Sequence, residues 1–320
     1  MTWLLILSGL VLLVVGGELL VRGAVSAARA IGISPLMIGL TLVGFGTSAP
    51  ELVTSLIAAF QGAPGIAVGN VVGSNIANIL LILGVTALIY PLAVAPPAFR
   101  RDGLALAGST VACLGAVLWG FMDRWIGLLF VAVLVAYIAW AYRSERAAPD
   151  AEAEMHEHVA EDARAGPGGI LGSVVLALVG IAATVGGARL LVGGAIELAQ
   201  SAGISETVIG LTIVAVGTSL PELVACAVAA LRRHADVALG NVIGSNIYNV
   251  LGILGITSSV HPIAIPVEIA RLDIWVLIAA TALVLLFLRT GWTLRRWEGA
   301  VFVLLYGAYA GYLVVDAGMA

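Results

Sequence analysis

From about residue 18 to about residue 95, the chain recurs at a constant spacing of 171 without a gap. Gly39-Leu40-Thr41 matches Gly210-Leu211-Thr212, Glu51 matches Glu222, and Thr86 and Pro91 match Thr257 and Pro262. One matching dipeptide would be chance; a gapless match of this length is a duplication. The repeated unit carries an interruption that limits what it can become. Gly46-Thr47-Ser48-Ala49-Pro50-Glu51 returns as Gly217-Thr218-Ser219-Leu220-Pro221-Glu222, each copy inside a long apolar run. Pro50 has no N–H, so the Gly46 carbonyl loses its helical partner. Ala49, just before the proline, is expected to leave helical backbone angles. The same argument applies at Pro221. Each interruption sets a carboxylic acid where the pattern calls for hydrocarbon. Bent backbone at membrane depth is tolerated only where it is packed in protein or lines a cavity, and an ionisable group there is read first as functional.

The membrane reading comes from composition. The 320 residues are 61% hydrophobic and 11% charged, with a mean hydropathy of +1.10. A soluble core of this length would show amphipathic stripes, not repeated apolar runs of about 20 residues. Runs fall at 3–22, 33–60, 66–90, 103–121 and 125–142, then at 169–192, 205–231, 236–258, 273–290 and 297–316. Arg100, Arg101 and Asp102 are expected in a loop. The start lacks a basic segment, so residues 4–15 read as a retained first helix and not a cleaved signal. The expected fold is an all-α polytopic membrane protein. It has ten transmembrane helices in two inverted five-helix repeats, with helices 2 and 7 broken. The domains are 1–142 (motif 46–78), an acidic linker at 143–168, and 169–320 (motif 217–249).

Five spans is an odd number, so the second repeat enters the membrane upside down relative to the first. Arginine tests this, because the chain has no lysine. Loops on the side reached after the first helix carry twelve arginines: 22, 29, 100, 101, 143, 146, 164, 232, 233, 289, 295 and 296. The opposite loops carry only Arg124 and Arg271. The positive-inside bias places both termini outside and the linker in the cytoplasm, in the inner (plasma) membrane of the cell. His156 and His158 among the linker acids could bind a metal, but a solvated polar loop is the simpler reading. An inverted repeat with Gly/Pro-broken helices at matching positions is the pattern of an alternating-access transporter, with its site near the midplane.

Helical spacing gathers the site. Thr47 and Glu51 are i,i+4, as are Ser74 and Asn78, and Ser245 and Asn249. The repeats then converge Glu51, Glu222, Ser48, Ser219, Ser74, Ser245, Asn78 and Asn249 with the backbone carbonyls of Thr47 and Thr218. Every one is an oxygen ligand when asparagine presents its carbonyl, and no His or Cys belongs to the set. Calcium takes about 6–8 oxygens in a flexible shell, while magnesium prefers to keep its waters and soft metals want thiolate or imidazole. Two carboxylates match one divalent ion or a few sodium ions. A charged Glu near the bilayer centre costs about 2.5–3.5 kcal/mol, so two need cations or protons. Protonated glutamates packed beside kink prolines would not explain the repeated Ser/Asn motifs.

Other features have plainer readings. Gly69, Gly73, Gly240 and Gly244 are spaced as GxxxG and suit close helix packing. Asn75 and Asn246 lie about 100° around the helix from Ser74 and Ser245 and are left outside the ligand set. Cys113 and Cys226 read as small packing residues without a disulfide. Glu18 and Arg22 are spaced to pair at the membrane edge.

With GTSAPE and GTSLPE, and with GNVVGSNIAN at 69–78 and GNVIGSNIYN at 240–249, the chain resembles the cation/calcium exchanger superfamily, especially the prokaryotic sodium/calcium exchangers. The resemblance covers nearly the whole chain. It implies a core of helices 2, 3, 7 and 8, with helices 1 and 6 packed across it and sliding to alternate access. It implies calcium export driven by sodium entry. It also implies that Glu51 and Glu222 are shared ligands, Thr47 and Thr218 give carbonyls, the four serines complete sodium sites, and Asn78 and Asn249 lie beside the centre. Some relatives have Asp at the position of Asn249; asparagine in both repeats leaves two acids.

The expected function is therefore a calcium/sodium antiporter, with a proton/calcium (or other cation) antiporter of the same fold as the alternative. An intramembrane hydrolase would need a base near Ser48 or Ser219, and the four histidines fall in loops or at span edges. A passive channel would lack coupling. No enzyme activity or cofactor is expected, calcium and sodium being cargo. The expected partners are those ions and the lipid bilayer, without nucleic acid, and the expected state is a monomer.

Overall fold

The apolar runs form helices, because backbone in hydrocarbon must satisfy its own N–H and C=O groups. The computed structural model describes residues 2–31, 33–62, 64–146, 169–201, 217 and 219–319. Helix α1 (Thr2–Ile31) runs past its expected end at residue 22. Helices α2 (Pro35–Thr47) and α3 (Ala49–Phe60) meet at a 43° bend. They are followed by α4 (Pro64–Ile89), α5 (Pro96–Trp119) and α6 (Arg124–Arg146). After the linker come α7 (Gly169–Ser201), α8 (Leu220–Leu231) and α9 (Ala235–Val260). The chain finishes with a short α10 (Val267–Arg271), α11 (Asp273–Arg289) and α12 (Arg296–Met319). Among the described residues, seven helices are long and apolar enough to cross a bilayer, or eight with the bent pair taken as one. His156, His158 and the first part of the seventh run, 205–216, lie outside the described residues.

Contacts recur at the repeat spacing. Strand β1 (Leu92–Ala93) pairs antiparallel with β4 (Thr293–Leu294), and β2 (Phe121–Met122) with β3 (Ile263–Ala264). Thr110 and Thr281, 171 apart, place their hydroxyls 3.2 Å from each other in the buried seam between α5 and α11. Helices α1 and α7 run antiparallel on a track of glycines spaced by seven. A Cβ at Gly9 would sit 2.7 Å from the Leu191 nitrogen, and one at Gly16 2.6 Å from the Thr184 nitrogen. Substituents at Gly23 and Gly180 would strike the backbone of Ala177 and Leu20. The absence of side chains lets the two backbones approach closely. The far side of α1 presents exposed Leu4, Leu7, Val11 and Val14, a face suited only to lipid.

One sequence expectation changes here and another is extended. Arg100, Arg101 and Asp102 are not in a loop: Pro96 starts α5 at its first position, and all three fall within the helix. Asp102 is buried and takes both Arg101 Nε and Nη2 (2.6 and 2.9 Å) and the Tyr137 hydroxyl (2.9 Å). Partners from a neighbouring helix make that burial tolerable. Its repeat mate Asp273 accepts the Tyr309 hydroxyl at 2.7 Å. At the other membrane edge feature, Glu18 pairs with Arg22 as spaced, and also with Arg232 Nε at 3.0 Å, which ties α1 to the end of α8.

Candidate ion-binding site

The first break falls on Ser48, one residue earlier than expected. Ala49 stays helical as the first residue of α3, because Pro50 then occupies a first-turn position whose N–H has no helical acceptor anyway. Ser48 takes up the turn (φ −83°, ψ 6°), closing α2 through its N–H to the Gly44 carbonyl at 3.1 Å and opening α3 through its carbonyl to Leu52 N at 3.2 Å. Ser219 does the same for α8 (φ −90°, ψ 7°), accepting Leu223 N at 3.1 Å. Thr218 lies outside the described residues.

The two breaks exchange partners. Ser48 Oγ donates to Glu222 Oε1 at 2.9 Å, and Ser219 Oγ reaches Glu51 Oε1 and Ser74 Oγ, each at 3.4 Å. Both glutamates are 1% exposed. Ser245 lies on α9 beside α2, with its nitrogen 3.3 Å from where a Cβ on Gly44 would stand. Thr47 turns its hydroxyl to the Val43 carbonyl (3.0 Å), with Asn241 Oδ1 at 3.3 Å. Asn78 and Asn249 sit in wide π turns, Ala77–Ile82 of α4 and Tyr248–Leu254 of α9, of the kind found at functional sites. Nothing in the sequence pattern distinguishes those turns from ordinary helix.

The orphaned atoms identify the chemistry. Glu51 Oε2, Glu222 Oε2, Asn78 Oδ1, Asn249 Oδ1 and Ser245 Oγ are buried without a hydrogen-bond partner. Buried polar atoms are normally paired, and this set of converging oxygens fits a bound cation. Among the described residues no three His, Cys, Asp or Glu side chains group together. The orphaned atoms beside the two glutamates are neutral amide and hydroxyl oxygens, a set that suits a hard cation. Two apolar cavities, of about 470 and 310 Å³, do not include either glutamate in their linings; both carboxylates are buried.

A second layer supports the breaks. Asn70 donates to the Glu51 carbonyl (3.1 Å) and to Ser55 Oγ (3.0 Å), and Ser55 Oγ to the Ala67 carbonyl (3.3 Å). In the other repeat Asn241 donates to Cys226 Sγ (3.1 Å), which faces the Ala238 carbonyl at 3.6 Å. Cys226 is thus a hydrogen-bonding counterpart of Ser55, more than a packing residue; its position in the repeat was the available signal. Gly240 and Gly244 lie against the Leu36 and Leu40 carbonyls, the close packing expected of them, whereas Gly69 and Gly73, expected to pack alike, have nothing within 4 Å of where a Cβ would stand. Asn75, left out on helical angle, donates Nδ2 to the Asn246 carbonyl (3.1 Å) and accepts Asn249 Nδ2 at its Oδ1 (2.9 Å), while Asn246 donates its own Nδ2 to the Val242 carbonyl (2.7 Å).

Similarity to known proteins follows the same two halves. A family model described as sodium/calcium exchanger protein matches residues 1–143 and 172–315. The putative antiporter CaxA of Alkalimonas amylolytica is 42% identical over 311 residues, 96% of each chain. The sodium/calcium exchanger MaX1 of Methanosarcina acetivorans is 36% identical, covering 96% of this chain and 97% of its own. The solved sodium-calcium exchanger NCX_Mj, soaked with zero Na+ and Ca2+, superposes with a TM-score of 0.83 at 32% identity, over 98% of both chains.

Proposed function

The chain belongs to the sodium/calcium exchanger protein family, and on that premise we propose that it is a secondary antiporter exchanging calcium for sodium by alternating access. The observation that carries this reading is the pair of buried glutamates, one from each break, each met by the serine of the other break, beside orphaned oxygens. Glu51 and Glu222 share the cation. Ser48, Ser219, Ser74, Ser245, Asn78 and Asn249, with the Thr47 and Thr218 carbonyls, complete overlapping calcium and sodium positions. Two carboxylates and one calcium balance in charge, and sodium ions restore that balance when calcium leaves.

The architecture is ten spans in two inverted five-helix repeats, 1–142 and 169–320. The two strand pairs and the Thr110–Thr281 contact support it: at the 171 spacing β1 falls on β3 and β2 within one residue of β4, so the pair β1–β4 maps onto β3–β2, and Thr110 meets its own equivalent. The termini are extracytoplasmic and the 143–168 linker cytoplasmic, in the inner membrane. Supporting this, β1–β4 joins two loops assigned to the arginine-rich side and β2–β3 two loops of the opposite side. The glycine track lets α1 and α7 slide together across the core. The exchanger is a monomer; it needs no cofactor and performs no covalent chemistry.

The test is calcium-45 uptake into proteoliposomes preloaded with sodium, with choline-loaded vesicles and an imposed proton gradient as the other arms. Sodium-dependent uptake is expected. Uptake driven by the proton gradient alone would replace sodium with protons as the coupling ion, and no coupled uptake under any gradient would overturn the antiport reading.

A further inference from the structure

Two asparagines outside the proposed ligand set govern how the ligand asparagines are held. Asn249 donates Nδ2 to Asn75 Oδ1 at 2.9 Å, and Asn75 donates its own Nδ2 to the Asn246 carbonyl at 3.1 Å. The repeat spacing makes Asn75 equivalent to Asn246 and Asn78 equivalent to Asn249. The mirror of the first bond would run from Asn78 Nδ2 to Asn246 Oδ1. That bond is not made. Asn246 turns its Nδ2 back to the Val242 carbonyl of its own helix at 2.7 Å. Asn78 Nδ2, Asn78 Oδ1 and Asn246 Oδ1 are left buried with no partner. All four asparagines are at most 1% exposed.

Unmet buried amides are costly, and both halves carry the same Gly-Ser-Asn-Ile-x-Asn segment. The repeat symmetry therefore offers a second arrangement of equivalent chemistry. In the one seen, Asn249 is tied and Asn78 released; in its mirror, Asn78 is tied to Asn246 and Asn249 released. Packed interiors with two discrete arrangements switch between them instead of deforming continuously.

We infer that Asn75 and Asn246 are positioning residues that alternately tie down Asn249 and Asn78, so that the site presents one fixed and one free amide in each access state and exchanges them when access changes. The tied amide has its nitrogen occupied, which leaves its Oδ1 for the cation; Asn249 Oδ1 is one of the orphaned oxygens. The released amide is free to turn. The inference rests on the exchange reading above.

The experiment measures the apparent KM for calcium in right-side-out and inside-out membrane vesicles, for the parent, Asn75→Ala and Asn246→Ala. Removing one hydrogen bond that orients a ligand is expected to raise KM by about threefold to tenfold. Asn75→Ala is expected to do so at one face only, and Asn246→Ala at the opposite face. Equal shifts at both faces, shifts at the same face, or no shift in either variant would overturn the inference while the parent's sodium-coupled flux leaves the exchange reading intact. Absence of coupled flux in the parent would overturn both. Asn75→Ser and Asn246→Ser, which also lose the reach of the amide, carry the same expectation should the alanine variants fail to fold.

Discussion

The Ser48 hydroxyl donates to the Glu222 carboxylate at 2.9 Å, across 174 positions of sequence. The reciprocal contact, Ser219 to Glu51, is 3.4 Å, longer than the usual range of about 2.5–3.0 Å for an O–H···O bond. Each carboxylate is therefore held by the other repeat, and the two are held unequally. A site built this way cannot form within either half alone.

The inequality is measurable. Ser48→Ala removes a short bond to a carboxylate, a contribution of about 1.5–3 kcal/mol, and is expected to raise the apparent calcium KM about tenfold or more. Ser219→Ala is expected to raise it less. Glu51→Gln and Glu222→Gln keep shape but remove charge, and each is expected to abolish sodium-driven calcium-45 uptake. Full activity in either glutamine variant would remove that glutamate from the ligand set.

Cys226 stands where the first repeat has Ser55, between an asparagine amide and an alanine carbonyl. Cys226→Ser should keep parental transport rates, because Ser55 already fills this role with oxygen. Cys226→Val should lower them, because the Asn241 amide loses its acceptor. Equal rates for the serine and valine variants would show that the thiol only fills space.

Tyr137 anchors buried Asp102 across helices. Tyr137→Phe is expected to cost about 1.5–3 kcal/mol, lowering the thermal midpoint in detergent while the calcium KM stays parental. An unchanged midpoint would show that the Arg101 pair alone satisfies Asp102.

On the glycine track, Gly16→Ala would force a Cβ within 2.6 Å of the Thr184 backbone. Overpacking of this kind costs about 1–3 kcal/mol, and both the thermal midpoint and transport should fall. Gly115→Ala, where a Cβ meets nothing within 4 Å, should behave as the parent. Similar behaviour of the two variants would argue against close backbone contact between α1 and α7.

Much of this site was legible because its residues are anomalies against hydrocarbon. A proline followed by an acid stands out inside an apolar run, and twice at one spacing it cannot be accident. The Ser/Asn motifs were legible for the same reason. The bonds of Asn75 to Asn246 and Asn249 were not legible, because the angle around one helix says nothing about a carbonyl or amide arriving from another. Asp102 was misjudged because three consecutive ionisable residues look solvated until Tyr137 and the Arg101 fork are seen around it. The first break moved from Ala49 to Ser48 because a proline in the first turn of a helix gives up no bond.

Residues alone established the duplication, the apolar segments, the two interruptions and the paucity of acids within them, all properties of composition and local spacing. Packing alone chose which serine meets which glutamate, where the π turns fall, and which of two equivalent asparagines is tied. In a buried polar cluster each donor has several acceptors within a side chain's reach. The distances between helices select among them, and those distances are not written in the spacing along any one helix.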